Sequence, residues 1–149
     1  MIEFVDIIDQ PYSGEFEERI YDIQSSWNSQ SWTYVKFINA DNSEWCGVFR
    51  GNPRKVAIPK TKGKILVLTS DYIWILNSKN GEVIQSEDKP SYQNLTVAPN
   101  GDFILADYYS ISRIEGTLKS AKHLQSPIRM DMIKFKSWNL MIFHLKLMM

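Results

Sequence analysis

The sequence predicts a mostly all-β chain of antiparallel meanders, resolved into short strands with at most one short N-terminal helix. Three observations carry this. Short runs rich in β-branched and aromatic residues recur along the 149 residues. Turn pairs such as Asn80-Gly81 and Pro99-Asn100-Gly101-Asp102 punctuate those runs. Aromatics reach 13% in a chain that is 44% apolar and 23% charged, a globular composition expected to form a single domain, 1–149.

Residues 2–8, IEFVDII, read as a strand, and Pro11–Gly14 as a turn. In residues 15–24, Phe16, Ile20 and Ile23 follow a helical i, i+4, i+7 stripe, and Glu15, Glu17 and Glu18 suit a helix N-terminus. That spacing predicts a short helix. Trp32–Ile38 and Glu44–Phe49 read as strands joined by the turn NADNS. Lys64–Thr69, Tyr72–Asn77 and residues 82–85 read as a three-stranded meander, its second turn a type I′ hairpin at Asn80-Gly81. The first two of these runs are apolar on both faces, so they are expected at the centre of a sheet. Asn94–Ala98, Phe103–Ala106 and Tyr109–Ile114 read as a second meander. The apolar run 138–149 reads as a last strand, an interfacial or partner-binding tail, or an atypical end.

The net charge of zero hides four blocks. Residues 1–49 hold nine acids and two bases, and 50–64 six bases and no acid. Residues 65–112 hold six acids and two bases, and 113–149 seven bases and two acids. Such blocks either form separate surfaces that steer partners or interleave and neutralise one another. Acidic blocks of this size repel a polyanion and weigh against nucleic-acid binding. One cysteine excludes an internal disulfide framework and a zinc ribbon. No apolar stretch is long enough for a transmembrane helix, and an acidic N-terminal segment without a base is not an ordinary secretory signal; a cytoplasmic location is expected.

The segments KVAIP-KTKGK-ILVLTSD-YIWIL and NLTVAP-NGD-FILADYY-SISRI align, with Pro59 over Pro99 and Asp71 over Asp107. In this pattern residues 54–116 resemble the repeats of WD, kelch and quinone-binding β-propellers. The resemblance implies two to three blades. That is fewer than a closed ring needs, so the alternatives are an open stack, a ring completed by a second copy through sheet edges, or an unrelated sandwich. A repeated Asp in such repeats implies a turn brace.

Catalytic signatures are absent from the sequence: no GxGxxG, Walker loop, HExxH or GxSxG. Neither a cofactor nor a metal is expected. Cys46, beside Trp45 in a predicted strand, reads as a small buried hydrophobe. His123, with Lys119 and Lys122, reads as a solvated basic loop or, alternatively, as the site of a small phosphodiesterase. The remaining signal is recognition. Glu15, Glu17, Glu18, Asp22, Asp41 and Glu44 supply an acidic surface, and Trp27 and Trp32 flank a polar segment as interface anchors. In size, charge layout and lack of catalytic residues the chain resembles small bacterial toxin-immunity proteins. That resemblance implies a protein that occludes a basic toxin, with these eight residues as its partner-binding set.

Overall fold

The structure is a computed structural model that describes residues 1–59, 63–88, 90–107, 110–114 and 118 in full, and 122–125 as backbone. Among the described residues it is built of twelve strands with no α-helix: β1 (Ile2–Ile8), β2 (Glu17–Tyr21), β3 (Trp32–Asn39), β4 (Glu44–Arg50), β5 (Pro53–Ala57), β6 (Lys64–Thr69), β7 (Tyr72–Asn77), β8 (Val83–Asp88), β9 (Asn94–Val97), β10 (Phe103–Ala106), β11 (Ser110–Ile114) and β12 (Lys122–Gln125). They form three four-stranded sheets, ordered β1-β3-β4-β2, β5-β6-β7-β8 and β12-β11-β10-β9. Contacts group the chain into two compact units, residues 1–58 with 63–90, and residues 59–62 with 91–149.

The all-β expectation holds, and strands 2–8, 64–69, 72–77 and 103–106 fall where the sequence places them. The predicted helix does not form. Residues 17–21 are strand β2, paired in parallel with β4. Tyr21 explains the outcome: at period two it enters the core and stacks on Phe49 at 4.3 Å, and its hydroxyl donates to the Gly81 carbonyl at 2.7 Å. The helical stripe is left outside, with Ile20 71% exposed. Burying Tyr21 outweighs a weak local preference, as tertiary packing commonly does.

In the first unit, the two sheets share one aromatic core. Val35, Phe37, Trp45 and Phe49 from β3 and β4 meet Ile65, Val67, Tyr72, Trp74 and Leu76 from β6 and β7. Phe37 stacks on Trp45 at 4.2 Å, and Phe49 meets Trp74 edge-on at 5.1 Å across the sheets. Such pairs add roughly 0.5–1.5 kcal/mol each beyond their buried area. β6 and β7 are central strands buried on both faces, as their doubly apolar pattern requires.

Two glycines fasten the sheets. Gly51 carries the chain from β4 to β5 at φ 114°, and a Cβ there would lie 2.5 Å from Thr69 Oγ1. Gly81 closes the β7–β8 loop at φ 77°, and a Cβ there would lie 2.7 Å from the Trp45 ring. The loop is not the predicted type I′ turn. Asn80 does not take the positive φ that turn needs, and four residues, 78–81, separate Asn77 from Glu82, whose carbonyl accepts from the Asn77 N–H at 2.8 Å. The longer loop lets Arg19 donate to the Asn80 carbonyl at 2.5 Å while its guanidinium lies 4.1 Å over the Trp45 ring.

The predicted three-stranded meander gains a fourth strand, β5, on its open side. In the second unit, β9 to β12 also form an antiparallel meander in chain order. Lys122 and His123 therefore lie in strand β12 and not in the loop the sequence suggested. Asp107 braces its own turn, accepting from the Ser110 N–H at 2.7 Å. Asp71, its counterpart, instead accepts from the Ser29 N–H at 2.7 Å and so braces the β2–β3 loop. Positions 138–149 lie outside the described residues.

Candidate docking surface

The sheet β1-β3-β4-β2 has an unusual connection. β1 and β2 lie at opposite edges and run parallel, because β1 is antiparallel to β3, β3 antiparallel to β4, and β2 parallel to β4. Ile8 ends level with Tyr34, whereas Glu17 begins level with Trp45 and Phe37, three residues further along β3. The chain must therefore travel about 14 Å across the sheet and about 10 Å back along it. Residues 9–16 reach about 30 Å when extended, too short to go round either end and long enough to cross a face. The inner face is filled by the aromatic core, and residues 9–16 are mostly exposed. The register therefore points to a crossing of the outer face by residues 9–16, a strap, in keeping with the effect of Glu15 on Cys46.

Such a strap fits the burial of two outer-face side chains. Cys46 and Val48 point to the outer face, yet both are buried. Burial pushes the Cys46 thiol up to about 11, and the carboxylates of Glu18 and Glu15 push the same way. At neutral pH the group is a protonated, shielded thiol, the reverse of a nucleophile's setting. A turn at Tyr12–Glu15 shapes the strap: the Glu15 N–H donates to the Tyr12 carbonyl at 3.0 Å, and Glu15 Oε2 accepts from the Tyr12 N–H at 3.0 Å.

What the strap leaves outside is mixed acidic and apolar surface. Tyr12 is 86% exposed, Ile20 71% and Trp27 77%. Glu15, Glu17 and Glu18 are exposed in the same stretch of chain, with Glu18 and Ile20 on the outer side of β2 and Glu17 on the side of Arg19 and Tyr21, and β2 is a terminal strand of its sheet. Of the eight large hydrophobic side chains left exposed among the described residues, four (Tyr12, Ile20, Ile23 and Trp27) fall within residues 12–27. Burying these four would remove a substantial apolar area from water.

Glu17 and Glu18 lie on β2, Glu15 just before it and Trp27 in the β2–β3 loop, all exposed, while the other four expected residues make contacts within the fold, Asp22, Asp41 and Glu44 remaining exposed as they do so. Asp22 receives Arg50 Nε at 3.0 Å and Nη2 at 2.9 Å. The hydrogen bond from Arg50 holds the Asp22 carboxyl below the usual carboxylate range. Arg50 in turn lies 3.8 Å over the Trp32 ring. Asp41 accepts from the Ser43 hydroxyl and N–H, which lowers its pKa and pins the β3–β4 turn. Glu44 pairs with Lys36 at 3.4 Å. Tyr12, Ile20 and Ile23 are the members that the sequence assigns instead to a turn and to a helix stripe, and their exposure had no local signal.

Among the described residues, no group of His, Cys, Asp or Glu side chains could hold a metal ion, and no helix is long and apolar enough to cross a membrane. No family model, curated protein or solved structure matches the chain.

Proposed function

We propose that this chain is a non-catalytic protein-binding module of the immunity or inhibitor type, which engages a basic toxin-like protein through β2 and its flanks. The observation that carries the reading is that exposed Tyr12, Ile20, Ile23 and Trp27 fall within residues 12–27, the stretch that also holds the exposed acids Glu15, Glu17 and Glu18. The acids steer a cationic partner and raise its association rate. The aromatic and aliphatic side chains supply the dehydrated contact that holds it. The open edge of β2 offers backbone donors and acceptors to a strand of the partner, the mode in which main-chain hydrogen bonds give affinity and side chains give specificity. Binding across this edge blocks the partner's own working face.

The test begins with capture of partners by the tagged chain from its source lysate at low and moderate salt. The expected result is one stoichiometric basic protein that survives moderate salt. Reversing Glu17 and Glu18 to Lys is then expected to slow its association about tenfold or more, while reversing Glu87 on β8 leaves the rate within about twofold. An association rate unchanged by the first pair of substitutions rejects this surface.

A scaffold reading, in which the chain is part of a larger propeller, draws on one observation: β5–β8 and β9–β12 are both four-stranded antiparallel meanders in chain order. Native mass tests it, since ring completion by a second copy requires a dimer.

A further inference from the structure

Above the docking surface, the β2–β3 loop and the β6–β7 turn enclose a pocket of about 180 Å³, lined by Ser25, Trp27, Asn28, Ser70, Asp71, Tyr72 and Asp88. Pockets for drug-sized molecules run about 300–1,000 Å³, so this one has room for the tip of a side chain. Two of its walls are aromatic, Trp27 and Tyr72, and its charged groups are the carboxylates of Asp71 and Asp88. Trp27 stands largely exposed at one side, and Tyr72 is buried with its hydroxyl donating to Asn28 Oδ1. Asp71 is held in place by the Ser29 N–H at 2.7 Å and the Ser70 hydroxyl at 2.9 Å, which leaves its oxygens fixed and still able to accept. Asp88 sits opposite Tyr72 in the β7–β8 register.

The charge here is one-sided. Burial pushes the Tyr72 phenol up, and the carboxylates of Asp22, Asp71 and Asp88 push it further, so all three are felt at one hydroxyl. The nearby cation, Arg50, is already committed: two of its nitrogens go to Asp22, a third donates to the Ser29 carbonyl at 3.2 Å, and its plane covers Trp32. Among the described residues, Asp71 and Asp88, which line the pocket, form no ion pair, and Arg50 acts on Asp71 only at longer range. Carboxylates beside an aromatic face make a site for a cation that has an apolar stem, because the ring quadrupole and the acids attract the same charge.

We propose that this pocket receives the guanidinium or ammonium group of an arginine or lysine side chain presented by the partner. This rests on the docking reading above and adds to it a specificity pocket at the end of the β2 surface. An arginine suits it best: the planar head stacks on Trp27 while its N–H groups reach Asp71 and Asp88.

The test needs no partner. Nα-acetyl-arginine methylamide is titrated into the full chain and followed by backbone and indole NMR, with the citrulline analogue as the uncharged isostere. The expected result is saturable, millimolar binding that shifts the Trp27 indole and the amides of Ser70, Asp71 and Asp88. Citrulline is expected to bind about tenfold more weakly or worse. Asp88→Asn is expected to weaken arginine binding severalfold, with Trp27→Leu as a second variant of the same wall, whereas Glu87→Gln, one residue away, does not. Equal binding of citrulline, an effect of Glu87→Gln as large as that of Asp88→Asn, or no saturable shift overturns the pocket. A captured partner that binds Asp88→Asn as well as the parent chain overturns the pocket and spares the docking surface. Arginine binding without any captured partner overturns the docking reading and spares the pocket.

Discussion

The two sheets of the first unit share one core and are built on opposite plans. The β5–β8 sheet runs in chain order, every neighbour antiparallel, with β6 and β7 buried on both faces. The β1–β4 sheet shuffles its order, takes one parallel edge strand and carries a strap across its outer face. The first plan makes a scaffold from local contacts. The second leaves exposed, within residues 12–27 on and around its edge strand β2, both acids and unburied apolar groups. Division of labour between a rigid meander and an irregular, exposed partner sheet is how loops and edges come to carry recognition.

The sharpest way to break this comparison is to remove what both sheets lean on. Trp74 is buried and meets both Phe49 and Tyr72. Trp74→Ala is expected to cost about 3–5 kcal/mol in denaturant unfolding, with both sheets of the unit lost together. Two separate transitions would show that the sheets are independent. Gly81→Ala comes next. The positive φ alone costs about 1–3 kcal/mol for an alanine, and the Cβ overlaps the Trp45 ring as well. Its damage is expected to fall on the contact of β2 and β4 with the β7–β8 loop. Hydrogen exchange should therefore rise in β2 before it rises in β6.

Legibility in the sequence follows the same division. The strands at 64–69, 72–77 and 103–106 are readable because their pattern is local: apolar runs with turn residues between them. β2 is not readable locally. Its partner β4 lies some 28 residues away, and its reason to be a strand is Tyr21's place against Phe49 and Gly81. Within residues 15–24 a helical stripe and a strand both fit, and the distant contact decides. The acids of the surface were visible as composition. Which of them are tied to neighbours was not, since Asp22, Asp41 and Glu44, though exposed, find Arg50, Ser43 and Lys36 only once the chain is folded. The pocket joins a loop to a turn more than 40 residues on, and no spacing in the sequence announces that.

A smaller effect tests whether Asp22 belongs to the fold. Its native pKa is lowered, chiefly by Arg50. The native state therefore binds its proton less readily than the unfolded chain, in which an aspartate titrates near 3.9. The stability it contributes is present above about pH 4 and is lost as pH falls through the lowered native value. Asp22→Asn is expected to cost about 1 kcal/mol at neutral pH, the upper range for a partly exposed pair. The gap to the parent chain should close in acid. A gap that stays constant from neutral to strongly acidic pH would remove Asp22 from this structural role.

The smallest expected effect on stability belongs to Ile20, on the edge strand of the proposed docking surface. Ile20 is 71% exposed and lies on the outer side of an edge strand, so it has little packing to lose. Ile20→Ser is expected to move the unfolding free energy by no more than about 0.5 kcal/mol. In the same protein the affinity for the captured partner should fall, because an anchor at a dehydrated contact has been replaced by a hydroxyl that the contact cannot satisfy. The two readouts must separate for the surface to be functional. A large loss of stability would mean that Ile20 packs against the strap and belongs to the fold. No loss of either would leave the exposed apolar group on β2 without a part in binding. A loss of affinity at constant stability is the signature of a side chain kept on the outside for a partner.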